Sequence, residues 1–244
     1  MNERFMNARL LVLSESGESG GIGRLAEKSL HKTLKYYIEP NAEYHEVKFL
    51  GSVADIMRDG VIYEIQTRGC EKLRAKLLKF LANAKVTVVL PLCENKSVAW
   101  IDKETGEILK NHKSPKKEGL FDAIFELSKI REFLSNSNFS VKLIFLDVSE
   151  YRYLDGWDKS GKRGSTRLER IPNKLLSEID IKDKSDIALL LPFSKGEEFS
   201  AKELARKTKM RGRKNYYVLR FLLDTGIIEK SREEGRAFIY RFLG

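Results

Sequence analysis

Residues 54–67 read Ala54-Asp-Ile-Met-Arg-Asp-Gly-Val-Ile-Tyr-Glu-Ile-Gln-Thr67, and this stretch decides the fold. Asp59-Gly60 separates two runs rich in β-branched and aromatic residues. A two-residue type I′ loop needs positive φ at both positions, which Asp-Gly tolerates, so the pair is a strong hairpin signal. Ser52–Arg58 and Val61–Arg68 are therefore predicted to pair. In that register Arg58 faces Val61, Ile56 faces Tyr63, and Asp55 faces Glu64. Opposed side chains have Cβ atoms about 4.5–5.5 Å apart, where like charges repel. Gln66 projects from the same face as Glu64, together with Val53, Met57 and Ile62; Ala54, Ile56, Tyr63 and Ile65 take the other. With both faces partly apolar the hairpin is expected to be central. Its two carboxylates then need a proton, a neighbouring cation or a divalent metal between them. The alternative is a hairpin end at which both reach water.

Upstream, the apolar run Leu10–Leu13 precedes a glycine-rich stretch from Gly17 to Gly23, which lacks the lysine and Ser/Thr of a P-loop and reads as a loop. A helix is expected from Arg24 to Ile38, stopping before Pro40. Glu27, Leu30 and Leu34 share one stripe of it, so Glu27 points towards the sheet, with His31 four residues on as a partner. Tyr44–Leu50 reads as a strand. Downstream come a helix over Glu71–Ala84, a buried strand over Val86–Leu90, and a smaller hairpin of Val98–Ile101 with Glu107–Lys110. A helix over Leu120–Leu134, a strand over Val141–Val148 and a long polar loop over residues 155–170 follow. Helices alternating with apolar strands predict an α/β fold with a mixed central sheet flanked by helices.

This order resembles the PD-(D/E)XK nuclease superfamily: a helix with Glu27, a strand, Asp55 on the next, Glu64-Ile65-Gln66 on the following one, then a helix. The string 54–67 is similar to the hairpin of archaeal Holliday-junction resolvases and restriction endonucleases, and the likeness covers roughly residues 20–93. The resemblance implies a restriction-endonuclease-like fold in which Asp55, Glu64 and the backbone carbonyl of Ile65 bind Mg²⁺ (or Mn²⁺). Glu27 would support the metal through water. Gln66 stands where the family has lysine; an amide positions water but brings no positive charge. Lys48 and Arg68 are candidate substitute cations. Cutting both strands of a duplex needs two sites, so the resemblance leaves room for a homodimer.

Residues 179–244 form a second predicted unit, after a nuclease-like domain over residues 1–178. A short helix spans Asp186–Leu191. Ser200-Ala-Lys-Glu203 is a capping box that starts a helix through Lys209. Arg213–Asp224 is a further helix, stopped by Gly226. Ile227–Ser231 and Arg236–Leu243 flank Glu233-Glu-Gly235 as a hairpin. Three helices and a terminal hairpin resemble a small winged helix-turn-helix domain. Lys207, Lys209, Arg211, Arg213 and Lys214 sit at its recognition-helix entrance, and Arg232 and Arg236 at its wing, which implies DNA contacts. Tyr216 and Tyr217 fit either the core or the nucleic-acid backbone. Lys195 to Gly244 holds 13 Lys/Arg against 7 Asp/Glu, the larger part of the chain's formal charge of +10.

That charge favours a polyanionic partner. DNA, duplex or branched, is expected ahead of RNA, and a non-catalytic DNA-binding regulator is the alternative to an enzyme. The loop cations Lys159, Lys162, Arg163, Arg167 and Arg170 form either a second phosphate-binding strip or a solvated face. No apolar run reaches the ~18 residues of a membrane span, and Met1–Arg9 carries no secretory signal. Cys70 and Cys93 cannot make a zinc site by themselves; they read as reduced core residues in a cytoplasmic protein.

Overall fold

The structure is a computed structural model that describes residues 2–18, 29–153 and 166–244. The decisive turn forms as read: Asp59 and Gly60 both have positive φ, 50° and 75°. They join β2 (Ser52–Arg58) to β3 (Val61–Ile65) in the register Ile56↔Tyr63, Met57↔Ile62, Arg58↔Val61. β1 (His45–Phe49) pairs antiparallel with β2. From β3 the chain crosses over through α3 (Arg74–Phe80) to β4 (Lys85–Ile101), which lies parallel to β3. β5 (Ile108–Lys113) folds back on the end of β4 through a turn at which Gly106 has a φ of 75°. After α4 (Leu120–Leu127), β6 (Phe139–Tyr153) pairs parallel to β4 and β7 (Arg167–Ile181) antiparallel to β6. The mixed sheet runs β1-β2-β3-β4-β6-β7 with β5 attached to β4.

Helices cover both faces. α1 (Glu3–Glu18) and α2 (Ser29–Ile38) place Phe5, Ala8, Leu30 and Leu34 against Ile56, Ile65, Val89, Ile144 and Leu146. On the opposite face the 3-10 turn Cys70–Leu73, α3 and α4 bring Leu73, Leu77, Phe80, Ile124 and Leu127 onto Ile62, Val86, Val88, Val141 and Leu143. Each fully buried side chain of this size contributes about 1.5–3 kcal/mol, and this two-sided burial is what keeps the β2–β3 hairpin central.

The last unit comprises α5 (Lys184–Leu189), β8 (Glu198–Ser200), α6 (Ala201–Thr208), α7 (Arg213–Asp224), β9 (Ile228–Glu234) and β10 (Ala237–Phe242). Its three strands pair antiparallel in the order β8-β10-β9. Ser200 caps α6 reciprocally with Glu203, and Gly226 takes a φ of 68° after α7. Its apolar residues Ile187, Phe199, Val218, Phe221 and Leu222 are continuous with the α3–α4 face of the large sheet.

Several expectations need correction. The apolar run Leu10–Leu13 lies inside a full helix, α1, that extends from Glu3 to Glu18. The strand read as Val86–Leu90 is 17 residues long, because polar Glu94–Lys96 continue the ladder past a register shift. Part of the polar stretch 155–170, from Arg167, belongs to β7, a strand whose three register shifts and Pro172 hide its alternation. β7 runs to Ile181, so a division between residues 178 and 179 would cut a strand; the small unit begins after it. Among the described residues no helix is long and apolar enough to cross a membrane.

Candidate functional site

The β2–β3 ladder ends at Ile56↔Tyr63, and one step on stand Asp55 and Glu64. Asp55 Oδ2 accepts the Ile65 amide at 2.7 Å, which fixes its carboxylate across the open end of the hairpin. His31 of α2 lies 3.3 Å from the same oxygen through Nε2. Glu64 is 1% exposed. Its Oε2 takes Lys76 Nζ of α3 at 2.8 Å, while its Oε1 is buried without a hydrogen-bond partner. The two acids are therefore held by helices from opposite faces of the sheet, a correction to the single shared face expected for them: the ladder stops at Ile56↔Tyr63, and Ala54 packs with Ile62 rather than with Ile56.

Their titration diverges. Burial pushes Asp55 up, but the hydrogen bond and charge of His31 and the Ile65 amide outweigh it, leaving this carboxyl below its ordinary value. For Glu64, burial and then the charge of Asp55 push upward, and Lys76 compensates only in part, leaving it raised. An orphaned buried carboxylate oxygen costs free energy comparable to a lost hydrogen bond or more. A hydrated divalent cation suits it: Mg²⁺ binds through one or two carboxylates and keeps several waters. Among the described residues no group of three or more His, Cys, Asp or Glu could hold a metal, so the fit rests on this pair.

Gln66 departs from its expected task. Its Nε2 donates to the carbonyls of Arg68 and Gly69, so the amide braces the turn into α3. The cation beside the acids is Lys76 rather than Lys48 or Arg68; Arg68 instead pairs with Glu118 at 2.7 Å. Sequence reasoning missed Lys76, although a signal existed. Leu73, Lys76, Leu77 and Phe80 follow the i, i+3, i+4, i+7 spacing of a buried stripe, so a lysine there points inward. Glu27, Lys159, Lys162, Arg163 and most of the glycine-rich stretch lie outside the described residues. Cys70 and Cys93 are buried and unbridged, as expected.

The basic set of the small unit divides. Lys207 is tied to Glu197 at 2.6 Å and lies over the Phe193 ring. Arg232 pairs with Glu198 and Glu234, and Arg213 donates to the Tyr217 hydroxyl. Lys214 reaches Asp122 of α4 at 2.6 Å. Lys209, Arg211 and Arg236 are exposed and make no ion pair among the described residues. Tyr217 packs edge-on against Phe125 of α4, whereas Tyr216 is exposed. One flank of α7 thus rests on the larger unit. A cleft lined by Thr67, Arg68, Glu118, Asp122 and Lys214 runs from beside Gln66 to that contact.

Residues 28–182 match the family described as a domain of unknown function, DUF8091. This chain belongs to the DUF8091 family. The DUF8091 match runs from the residue before α2 to the residue after β7, so it contains His31, Asp55, Glu64 and Lys76 and stops where the small unit starts. A protein of Treponema pallidum (strain Nichols), described as uncharacterized, is 30% identical over 225 residues, 90% of this chain and 87% of that protein. That alignment is too long to end at residue 182, so the likeness extends into the small unit. No solved structure matches the chain.

Proposed function

We propose that this DUF8091 protein is a metal-dependent DNA endonuclease, or nuclease-like protein, with a restriction-endonuclease-like core and a C-terminal winged helix that positions DNA. The observation that carries the reading is the Asp55–Glu64 pair, with one bare buried oxygen, at the open end of a central hairpin. The surrounding order supports it: α2, the antiparallel β1-β2-β3, the crossover α3 and the parallel β4 match the PD-(D/E)XK resemblance. The order β8-β10-β9 with α6 and α7 supports a winged helix, α7 being the reading helix and β9–β10 the wing.

Asp55, Glu64 and the Ile65 carbonyl would hold Mg²⁺ or Mn²⁺, which when bound neutralises phosphate charge and makes a water acidic enough to attack near neutral pH. Lys76 keeps Glu64 aimed and offsets the repulsion from Asp55. His31 fixes Asp55 from the other face. Lys209, Arg211 and Arg236 offer free cations to phosphates.

The test is cleavage of supercoiled plasmid with Mg²⁺ or Mn²⁺ by the protein and by an Asp55→Asn/Glu64→Gln variant. Nicking or linearisation by the first alone is expected; equal cleavage by both rejects the assignment. A second reading, a DNA-binding regulator on a degenerate nuclease fold, is favoured by the Gln66 amide being bound to backbone carbonyls. Duplex binding without cleavage by either protein selects it.

A further inference from the structure

Lys214 differs from the other paired cations of the small unit. Among the described residues, Lys207 and Arg232 pair with carboxylates of that same unit, Glu197, Glu198 and Glu234. Lys214, the second residue of α7, pairs instead with Asp122 of α4, across the boundary with the large unit. The two oxygens of Asp122 have separate tasks. Oδ2 accepts the Gly119 amide at 3.1 Å and caps α4, while Oδ1 takes Lys214 Nζ at 2.6 Å. The rest of the boundary is held by other contacts. Tyr217 lies edge-on against Phe125, and Arg131 holds Asp224 at 2.9 Å at the far end of α7. Val218, Phe221 and Leu222 are buried in the core that α3 and α4 share. Parting Lys214 from Asp122 therefore leaves α4 capped and α7 docked. Solvent reaches the pair: the Lys214 side chain is 49% exposed and that of Asp122 24%.

We propose that Asp122 is an internal competitor for nucleic-acid phosphate: its carboxylate occupies Lys214 in the free protein, and a backbone phosphate takes the lysine over when a duplex reaches α7. The inference rests on the nucleic-acid reading above and adds to it a contact within the chain that holds duplex affinity down. An exposed ion pair is weak because water and salt screen it, so the swing of one long side chain releases it without moving either unit. A phosphate, with its charge and several acceptor oxygens, replaces the carboxylate on the same ammonium. Asp122, once released, keeps its charge beside the incoming strand and opposes it. The location is appropriate. Asp122 and Lys214 line the cleft that also holds Thr67 and Arg68, next to Gln66. A strand running from α7 towards the acid pair therefore passes over this contact.

The test is a double-mutant cycle on binding of a fluorescent duplex oligonucleotide by the full chain in EDTA at low salt. Its members are the native protein, Asp122→Asn, Lys214→Gln and the double variant. Asparagine keeps an oxygen for the Gly119 amide. Glu43→Gln, at an exposed position ahead of β1, controls for the loss of one negative charge anywhere on the chain. Asp122→Asn is expected to tighten binding roughly two- to fivefold, more than Glu43→Gln does. In the Lys214→Gln background the gain should shrink to that of Glu43→Gln. An equal gain in both backgrounds, or one no larger than the control, overturns the proposal. A Lys209→Gln/Arg211→Gln variant separates this failure from that of the nucleic-acid reading: weakened binding there with no coupling in the cycle rejects only the role of Asp122. Absence of duplex binding by every protein overturns both.

Discussion

Replacing Lys76 by Met should uncouple Glu64 from the one cation that pairs with it among the described residues and make stability depend on pH in a defined way. Breaking a buried ion pair by removing one partner costs about 3–5 kcal/mol, and losing an exposed pair about 0–1. Glu64 is 1% exposed and the Lys76 side chain 29%, so a loss of about 2 kcal/mol is expected at pH 8. The sign of the pH term follows from Glu64 sitting above its ordinary value. The folded protein then binds this proton more tightly than the unfolded chain, so stability falls as pH rises between the ordinary glutamate value and the raised one. Without Lys76 that window extends upward, and acid relieves the strain by neutralising Glu64. Urea unfolding in EDTA, followed by circular dichroism at pH 5 and pH 8, should show a deficit at pH 5 that is less than about half of that at pH 8. In a Glu64→Gln background the same substitution should cost less than about 1 kcal/mol. A deficit of equal size at both pH values, undiminished in that background, refutes the pairing as the source.

Glu150 should behave in the opposite sense. Burial alone would raise its carboxyl; hydrogen bonds from Arg170 and Arg152, then the charges of Arg170 and Lys96, bring it down to about 2 from 4.5. That shift corresponds to about 3 kcal/mol, present above the unfolded value and lost as pH falls through the folded one. Glu150→Gln should therefore lower stability at pH 7 by about that amount, with the difference shrinking below pH 4.5; a difference constant down to pH 2 counts against it. Burial, chiefly, pushes the Cys70 thiol up to about 12 and the Cys93 thiol up to about 11. Both should resist a disulfide reagent at pH 8 in the native protein and react in urea; a rapid native reaction of either contradicts its burial.

Legibility in the sequence followed the range of the forces. Asp59-Gly60, the Ser200 capping box and the Gly226 stop are local conformational statements, since each depends on residues within a few positions, and each forms as read. The hairpin register over Ile56↔Tyr63, Met57↔Ile62 and Arg58↔Val61 followed from one turn; the splaying of Asp55 towards α2 and Glu64 towards α3 just beyond it did not. The amphipathic stripe of α3 was also present in the chain, and Lys76 lay in it unrecognised. The long polar tail of β4 and the whole of β7 were not legible, because bulged strands lose the two-residue alternation that marks them and are strands only by virtue of their neighbours.

The sequence by itself determined the α/β order, the turn that sets Asp55 and Glu64 on neighbouring strands and the basic unit at the end, because helix periods, turn chemistry and charge are carried by short segments. Only the tertiary structure decided which cations serve which acids: His31 for Asp55, Lys76 for Glu64, Arg170 and Arg152 for Glu150, Asp122 for Lys214. Apart from Arg152, which shares β6 with Glu150, those partners come from different elements, up to 92 residues apart. The physical reason is that charge pairing depends on distance and burial in space, and both are set by the packing of the whole sheet rather than by any segment of it.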